Sequence, residues 1–324
     1  MAQPIIANPI LNSPFQEPKR HFYFDDDGIT DKIVEARRLS SYFVPVPQPK
    51  KKGKQLVLDT GWTKDRVEEN KFINAVRNTV AKWRFGGYDG ITNTTRQLLT
   101  YWRNPERERR LFFCQIEALE TAIYLTEVAD RQDGAWIVRQ LKEANDAHSP
   151  LLNRVAFKMA TGSGKTVLMA MLIAWHTLNK QANPQDGRFG DAFLVVAPGI
   201  TIRDRLRVLL PSEADNYYRQ LDVVPETSRT QLAHAKIIIT NYHTFIPREK
   251  VAVGKLTKLV LGNGRAGAFT ESPEELVRRV CRGLGNKKGI IVMNDEAHHC
   301  YRSKPIAEGE RLIGDERKEA EKRE

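Results

Sequence analysis

Two short stretches of this chain carry residue types at spacings that suit phosphoryl chemistry. The first is MATGSGKT, residues 159–166, between an apolar run and a longer one with helical character. Gly162 and Gly164 permit the backbone to turn its N–H groups inward around an anion, and a following helix adds the positive end of its dipole. Ala160, Thr161 and Ser163 complete the loop; Lys165 is placed to reach the outer phosphates of a nucleoside triphosphate, and the Thr166 hydroxyl to ligate Mg²⁺. The second stretch is Asp295-Glu296-Ala297-His298, at the end of the apolar run GIIVMND (289–295). Asp295 would hold Mg²⁺ through water, and Glu296 beside it would orient and deprotonate an attacking water. An acidic pair alone is weak evidence, since surface Asp-Glu is common. Set 130 residues beyond Lys165, with room for two strand–helix units between, it becomes a coherent partner for the loop.

These residues need elements to place them. RVAFKMA (154–160) reads as a buried strand leading into the loop, and TVLMAMLIAWHTL (166–178) as the helix leaving it. DAFLVVAP (191–198), AKIIITN (235–241) and GIIVMND read as further strands. Near-continuous apolar strands alternating with helices imply an α/β fold with a parallel sheet covered on both faces. Before the last strand, Ser272 caps a helix, Pro273 takes its first position and Glu275 closes a capping box.

The amino-terminal third differs. Residues 1–60 are rich in Pro and charge, including PVPQPKKKGK (45–54), and read as an extended arm. Asp25, Asp26 and Asp27 within it read as a solvated turn and not a metal site. Helical spacing starts near Thr63, with Phe72, Val76, Val80 and Trp83 on one face, and Gly86-Gly87 stops it. Further helices are expected over 92–103 and from Leu111 to Ala129, so that 61–108 forms a mainly helical amino-terminal region.

The whole chain carries 51 Lys+Arg against 40 Asp+Glu, a net charge of +11 that favours a polyanionic partner without proving one. The surplus gathers in residues 1–110 and between Arg248 and Lys288. No stretch approaches the ~18 uninterrupted apolar residues of a membrane span, and the amino terminus has no basic start followed by an apolar run. Cys114, Cys281 and Cys300 are too scattered for a disulfide framework or, with His298 and His299, for a zinc site. A cytoplasmic protein without a membrane association is the expectation.

Phosphate-loop patterns of eight residues ordinarily begin with Gly. Met159 in that place points away from a generic P-loop kinase or G protein and towards the helicase-type loop. Together with Asp-Glu-Ala-His and the segments between, it makes the chain resemble superfamily 2 helicase-type ATPases, most of all the Res subunit of type III restriction enzymes. The resemblance covers roughly residues 109–300 and implies a RecA-like motor lobe that binds ATP and Mg²⁺ and acts on DNA, as part of a restriction or phage-defence enzyme. RLFFCQIEALETAIYL (110–125) is similar to that group's adenine-recognition stretch. The resemblance implies that Gln115 hydrogen-bonds the adenine edge, with Phe112 or Phe113 near the ring. It also implies that Gly199, Thr201 and Arg203, and Thr240, Asn241 and His243, grip the nucleic-acid backbone. Arg203 and Arg207, four apart, are expected on one helix face. His298 is implied as the residue coupling nucleotide to the second motor lobe. That lobe, its arginine finger and any nuclease motif are not found in these residues, and 301–324 reads as a charged tail, so the chain is expected to be a truncated product. A modification or specificity subunit is an implied partner. The competing readings are a repair or RNA helicase lobe and a nucleotide-gated binding module with little turnover.

Overall fold

Helix α1 (Lys71–Phe85) begins where the Asn70 side chain accepts from the Ile73 N–H, and ends at Gly86. Its apolar stripe is the expected one, with Val76, Val80 and Trp83 buried. The computed structural model describes residues 8–25, 28–44, 66–131, 133–148, 152–248, 271–287 and 289–297. These fall into two compact units. The first draws on Met1–Ala192, Val208–Lys236 and Lys288–Ile290, the second on Phe193–Arg207, Ile237–Lys287 and Ile291–Glu324.

In the first unit α2 (Asn93–Arg103) starts at Thr92, whose hydroxyl accepts from the Thr95 N–H. Helix α3 (Phe113–Ile123) runs into a π-helical turn over Tyr124–Val128, so the expected 111–129 helix is present but widened at its end. After α4 (Ala135–His148) comes α5 (Lys165–Ala182), whose Leu168, Met171, Ile173, Trp175 and Leu178 are all buried. A helix apolar on nearly every side needs neighbours around it. Helices α2 and α3 pack on α5, and α1 packs on α3.

Two buried carboxylates fasten this packing. Glu127, in the π-helical turn, accepts from the Thr92 N–H (2.8 Å), the Thr95 hydroxyl (2.6 Å) and the Trp175 indole N–H (3.0 Å). It thereby joins the start of α2, the end of α3 and the middle of α5. Glu120 accepts from Arg84 (2.7 Å), Arg103 (3.1 Å) and the Tyr88 hydroxyl. Burial raises the Glu120 carboxyl above the usual carboxylate range, against the pull of Arg84 and Arg103.

Towards the amino terminus, β1 (His21–Asp25) and β2 (Gly28–Val34) pair antiparallel, as do β3 (Ser41–Val44) and β4 (Arg66–Glu69). The described part of the expected arm is therefore a hairpin and a strand. The helical spacing proposed to begin near Thr63 begins at Lys71, because residues 66–69 take a cross-strand partner in β3. Asp26, Asp27 and residues 45–65 lie outside the described residues.

The second unit is built on a three-stranded sheet of order β6-β5-β7. Strand β5 (Ala192–Ala197) is buried throughout, and β7 (Ile291–Asn294) lies parallel to it, Phe193 opposite Ile291 and Val196 opposite Asn294. On this sheet Leu194 and Val196 meet Val280 of the helix Pro273–Val280, with Ile238 of β6 (Lys236–Asn241) and Leu276 packed against them. The expected capping box is formed: Ser272 accepts from the Glu275 N–H (3.3 Å), and Glu275 from the Ser272 N–H (2.9 Å).

Two strand expectations need correction. RVAFKMA is not a strand; residues 154–160 carry no ladder and are largely exposed, Val155 at 51%. Its apolar residues satisfy the pattern, but a strand also needs a neighbour, and this segment pairs with none of the described strands. Strand β7 is not covered on both faces, since Val292 is 56% exposed. Among the described residues it lies at a sheet edge, where one face of the strand has less to pack against.

The Glu127 network yields a stability prediction. Glu127→Ala removes the acceptor of the half-buried Thr92 N–H and of the buried Thr95 hydroxyl, and one of the two acceptors of the Trp175 indole N–H. At about 1–3 kcal/mol for each buried donor left unsatisfied, it should lower the unfolding free energy by about 2 kcal/mol or more. Glu127→Gln, which keeps the shape and one acceptor oxygen, should cost less. Urea unfolding followed by tryptophan fluorescence measures both; an unchanged midpoint in Glu127→Ala would show that the carboxylate does not hold the helices.

Candidate functional site

The loop before α5 turns tightly. The Ser163 N–H and hydroxyl both donate to the Ala160 carbonyl, at 3.2 and 2.6 Å. Gly162 (φ +78°) and Gly164 (φ +81°) are left-handed, a region that costs other L-residues about 1–2 kcal/mol. Thr161 and Gly162 are exposed, and a Cβ on Gly162 would meet nothing within 4 Å, leaving the crown of the loop open to a ligand. Lys165 and Thr166 take the first two positions of α5, both half-buried, where the N–H groups of an 18-residue helix point towards the loop. An ammonium, a hydroxyl and backbone donors on an open, glycine-shaped turn form a donor set that suits a Mg²⁺-bound polyphosphate.

Gln115 meets this loop from α3. Its side chain is 4% exposed, and both ends of its amide are engaged by the main chain: Oε1 accepts from the Phe112 N–H (2.9 Å) and Nε2 donates to the Ser163 carbonyl (3.1 Å). The first of these caps α3; the second braces the loop. Cys114 also approaches the Ser163 carbonyl, its Sγ at 3.8 Å. Gln115 thus has one N–H and one lone pair left for anything else. Gly164 lies so close that a Cβ there would stand 2.1 Å from the Gln115 Nε2. The two aromatic candidates separate. The Phe113 ring faces the guanidinium groups of Arg84 (5.0 Å) and Arg37 (5.6 Å), while the Phe112 ring meets Phe15 at 5.8 Å. Spacing gives no signal for Phe15 or Arg37, because both come from the amino-terminal segment.

In the second unit the Asp295 N–H donates to the Val196 carbonyl (2.9 Å), carrying the β5–β7 ladder one residue past the strand end. Glu296 follows with φ +51°, left-handed although it is not glycine. Both acidic residues are half-buried. His298, with His299 and Cys300, lies outside the described residues.

The other candidates divide by what their side chains already do. Gly199 is the extended residue before α6 (Ile200–Arg205), Thr201 is exposed, and Arg203 pairs with its neighbour Asp204 at 3.0 Å. Arg203 and Arg207 do not share one α-helix, because α6 ends at Arg205 and a 3₁₀ turn takes over at Leu206. Thr240 is buried and donates to the Thr244 hydroxyl (2.8 Å). Asn241 caps the turn Tyr242–Phe245, its Oδ1 accepting from the Thr244 N–H and hydroxyl, and His243 is exposed. Thr240 and Asn241 therefore shape this turn, while His243 and Thr201 face outward. Of the basic segment between Arg248 and Lys288, residues 249–270 and Lys288 lie outside the described residues. No helix among the described residues is long and apolar enough to cross a membrane.

The two loop glycines should differ in tolerance. Gly162→Ala meets only the left-handed penalty, about 1–2 kcal/mol. Gly164→Ala meets that penalty and also drives the buried Gln115 amide from its two partners, so its melting temperature should fall further. Equal losses in the two variants, measured by thermal unfolding, would show that the Gln115 brace carries no weight.

A family model described as type III restriction enzyme, res subunit, matches residues 110–317, from the start of the Gln115 stretch to beyond the Asp295–Glu296 pair. No curated protein and no solved structure matches. The match takes in more than half of the chain and every candidate residue named above, and the chain belongs to the type III restriction enzyme res-subunit family.

Proposed function

We propose that this chain is the ATP-binding first lobe of a DNA-dependent, helicase-type ATPase or translocase within a restriction or phage-defence enzyme. The observation that carries the reading is the open left-handed glycine loop ahead of α5, with Lys165 and Thr166 at the first positions of that helix. Family membership supports the helicase-type assignment.

In this reading the backbone donors of Ala160–Thr166 hold the phosphates, and the Lys165 ammonium balances charge at the β- and γ-phosphates. Thr166 and Asp295 would hold Mg²⁺, which when bound neutralises charge on the phosphate oxygens. Glu296 accepts a proton from water as the water oxygen bonds to the γ-phosphorus and the bond to the ADP oxygen breaks. Gln115 keeps the loop in place and has one donor and one acceptor left for the adenine edge. His298 would couple this chemistry to strand movement. Thr201 and His243, with the turns built by Gly199, Thr240 and Asn241, face the sugar-phosphate backbone of duplex DNA, and Arg203 adds charge there. A modification or specificity subunit would supply the target sequence.

Lys165→Ala should weaken Mg-ATP binding at least ~10-fold, as the loss of the charge that balances the outer phosphates requires. Glu296→Gln should leave ATP affinity near the parent's while slowing DNA-stimulated hydrolysis by about 10²-fold or more. Calorimetric titration and a phosphate-release assay read the two effects. Unchanged ATP affinity in Lys165→Ala would remove the loop from the site.

A further inference from the structure

The base of a nucleotide held by the loop needs a surface to lie on, and the residues singled out from the sequence leave little. Gln115 is buried with both ends of its amide engaged. Phe113 has its ring beside two guanidinium groups. Phe112 remains, and its ring is covered in part by Phe15, at 5.8 Å and tilted by 48°. Over the half-buried Phe15 ring lies the guanidinium of Arg110, 4.5 Å from the centroid, on a residue that is itself exposed.

The segment bearing Phe15 is fixed against α3. The Phe113 N–H donates to the Pro14 carbonyl (2.8 Å). Glu17 pairs with Arg37 (2.9 Å) and Arg84 (3.3 Å), and Arg37 also forms a two-pronged pair with Glu117 of α3, both contacts at 2.6 Å. Forked arginine–carboxylate pairs of this kind hold orientation as well as position. The same end of α3 is tied to the loop through Gln115 and Ser163. A continuous set of contacts thus runs from the loop, through the first turn of α3, to Phe15 and Arg110.

We propose that the nucleobase stacks on the layered pair of Arg110 and Phe15, so that the amino-terminal segment is a wall of the nucleotide site. The inference rests on the phosphate-loop reading above. Its chemistry is general: bases stack on aromatic rings and on guanidinium planes, and a cation held over a ring offers a flat, charged, weakly hydrated surface. Phe15 and Arg110 act here on binding and specificity, and leave phosphate contacts to the loop.

The test compares a ligand with a base and one without. Mg-ATP and Mg-tripolyphosphate are titrated calorimetrically into the 324-residue chain and into Phe15→Ala, Arg110→Ala and Phe15→Trp. Stacking contacts are worth enough that Phe15→Ala and Arg110→Ala should each lose ATP affinity by roughly tenfold. Tripolyphosphate affinity should not change, and Phe15→Trp should retain ATP binding. Arg110 is exposed, so its variant carries the test even if Phe15→Ala unfolds. Parental ATP affinity in Arg110→Ala, or equal losses for both ligands, would overturn the proposal while leaving the loop reading intact. A parent that binds neither ligand would overturn the loop reading, and this one with it.

Discussion

Helix α3 opens with the Gln115 side chain folded back on the Phe112 N–H, and the same amide reaches out to the carbonyl of Ser163, 48 residues further on. The rest of the first unit can be read outward from this bridge. An amide buried to this extent is expensive to leave without partners, so the start of α3 and the course of the glycine loop are set together. Gly164 sits where any side chain would strike the amide, which explains a second reason for glycine there beyond its left-handed backbone. The loop is then held on both sides: by α3 through Gln115, and by α5, which it begins.

Those two helices are themselves fastened by buried carboxylates. Glu120 binds α3 to Arg84 of α1, and Glu127 binds the end of α3 to Thr95 of α2 and Trp175 of α5. Buried charges with full sets of donors add directionality that apolar packing lacks. The proposed phosphate site therefore rests on a frame whose parts cannot slide independently. This is what a site working by fixed charge and fixed dipoles requires, because donors already in place need no reorganisation when charge develops.

How much of this was legible in the sequence follows the range of each interaction. The glycine loop, the stripe on α1 and the Ser272–Glu275 box depend on neighbours within a few residues, and their spacing alone suffices. Strand β5 was legible because it is buried on both faces. RVAFKMA carried as persuasive an apolar pattern, but its state depends on whether a distant strand lies beside it, which composition does not encode. Gln115 was singled out for adenine on a resemblance, and that role stays a proposal; what its amide holds in this structure depends on a partner 48 residues away. Phe15 and Arg37 were invisible for the same reason, being charged or aromatic residues in a segment that reads as an unpacked arm. Short-range spacing reached the glycine turn and the Ser272–Glu275 box, and the distant supports of the loop lay beyond it.

The backbone itself distinguishes the two halves of the proposed machinery. Where main-chain N–H groups are meant to face phosphate, the left-handed positions are glycines, which adopt them without strain. At the end of β7 the left-handed residue is Glu296, and glycine would have been the unstrained choice. Among the described residues two other non-glycine residues share this conformation, Tyr88 and Asp222, and in each an arginine donates to the carbonyl: Arg96 to Tyr88 at 3.1 Å and Arg107 to Asp222 at 2.7 Å. At Glu296 a carboxylate occupies a position glycine could fill more cheaply, directly after the residue that ends the β5–β7 ladder. Residues in sparsely populated backbone regions concentrate at functional sites as well as in tight turns, and this position sets the direction in which the Glu296 carboxylate leaves the end of β7.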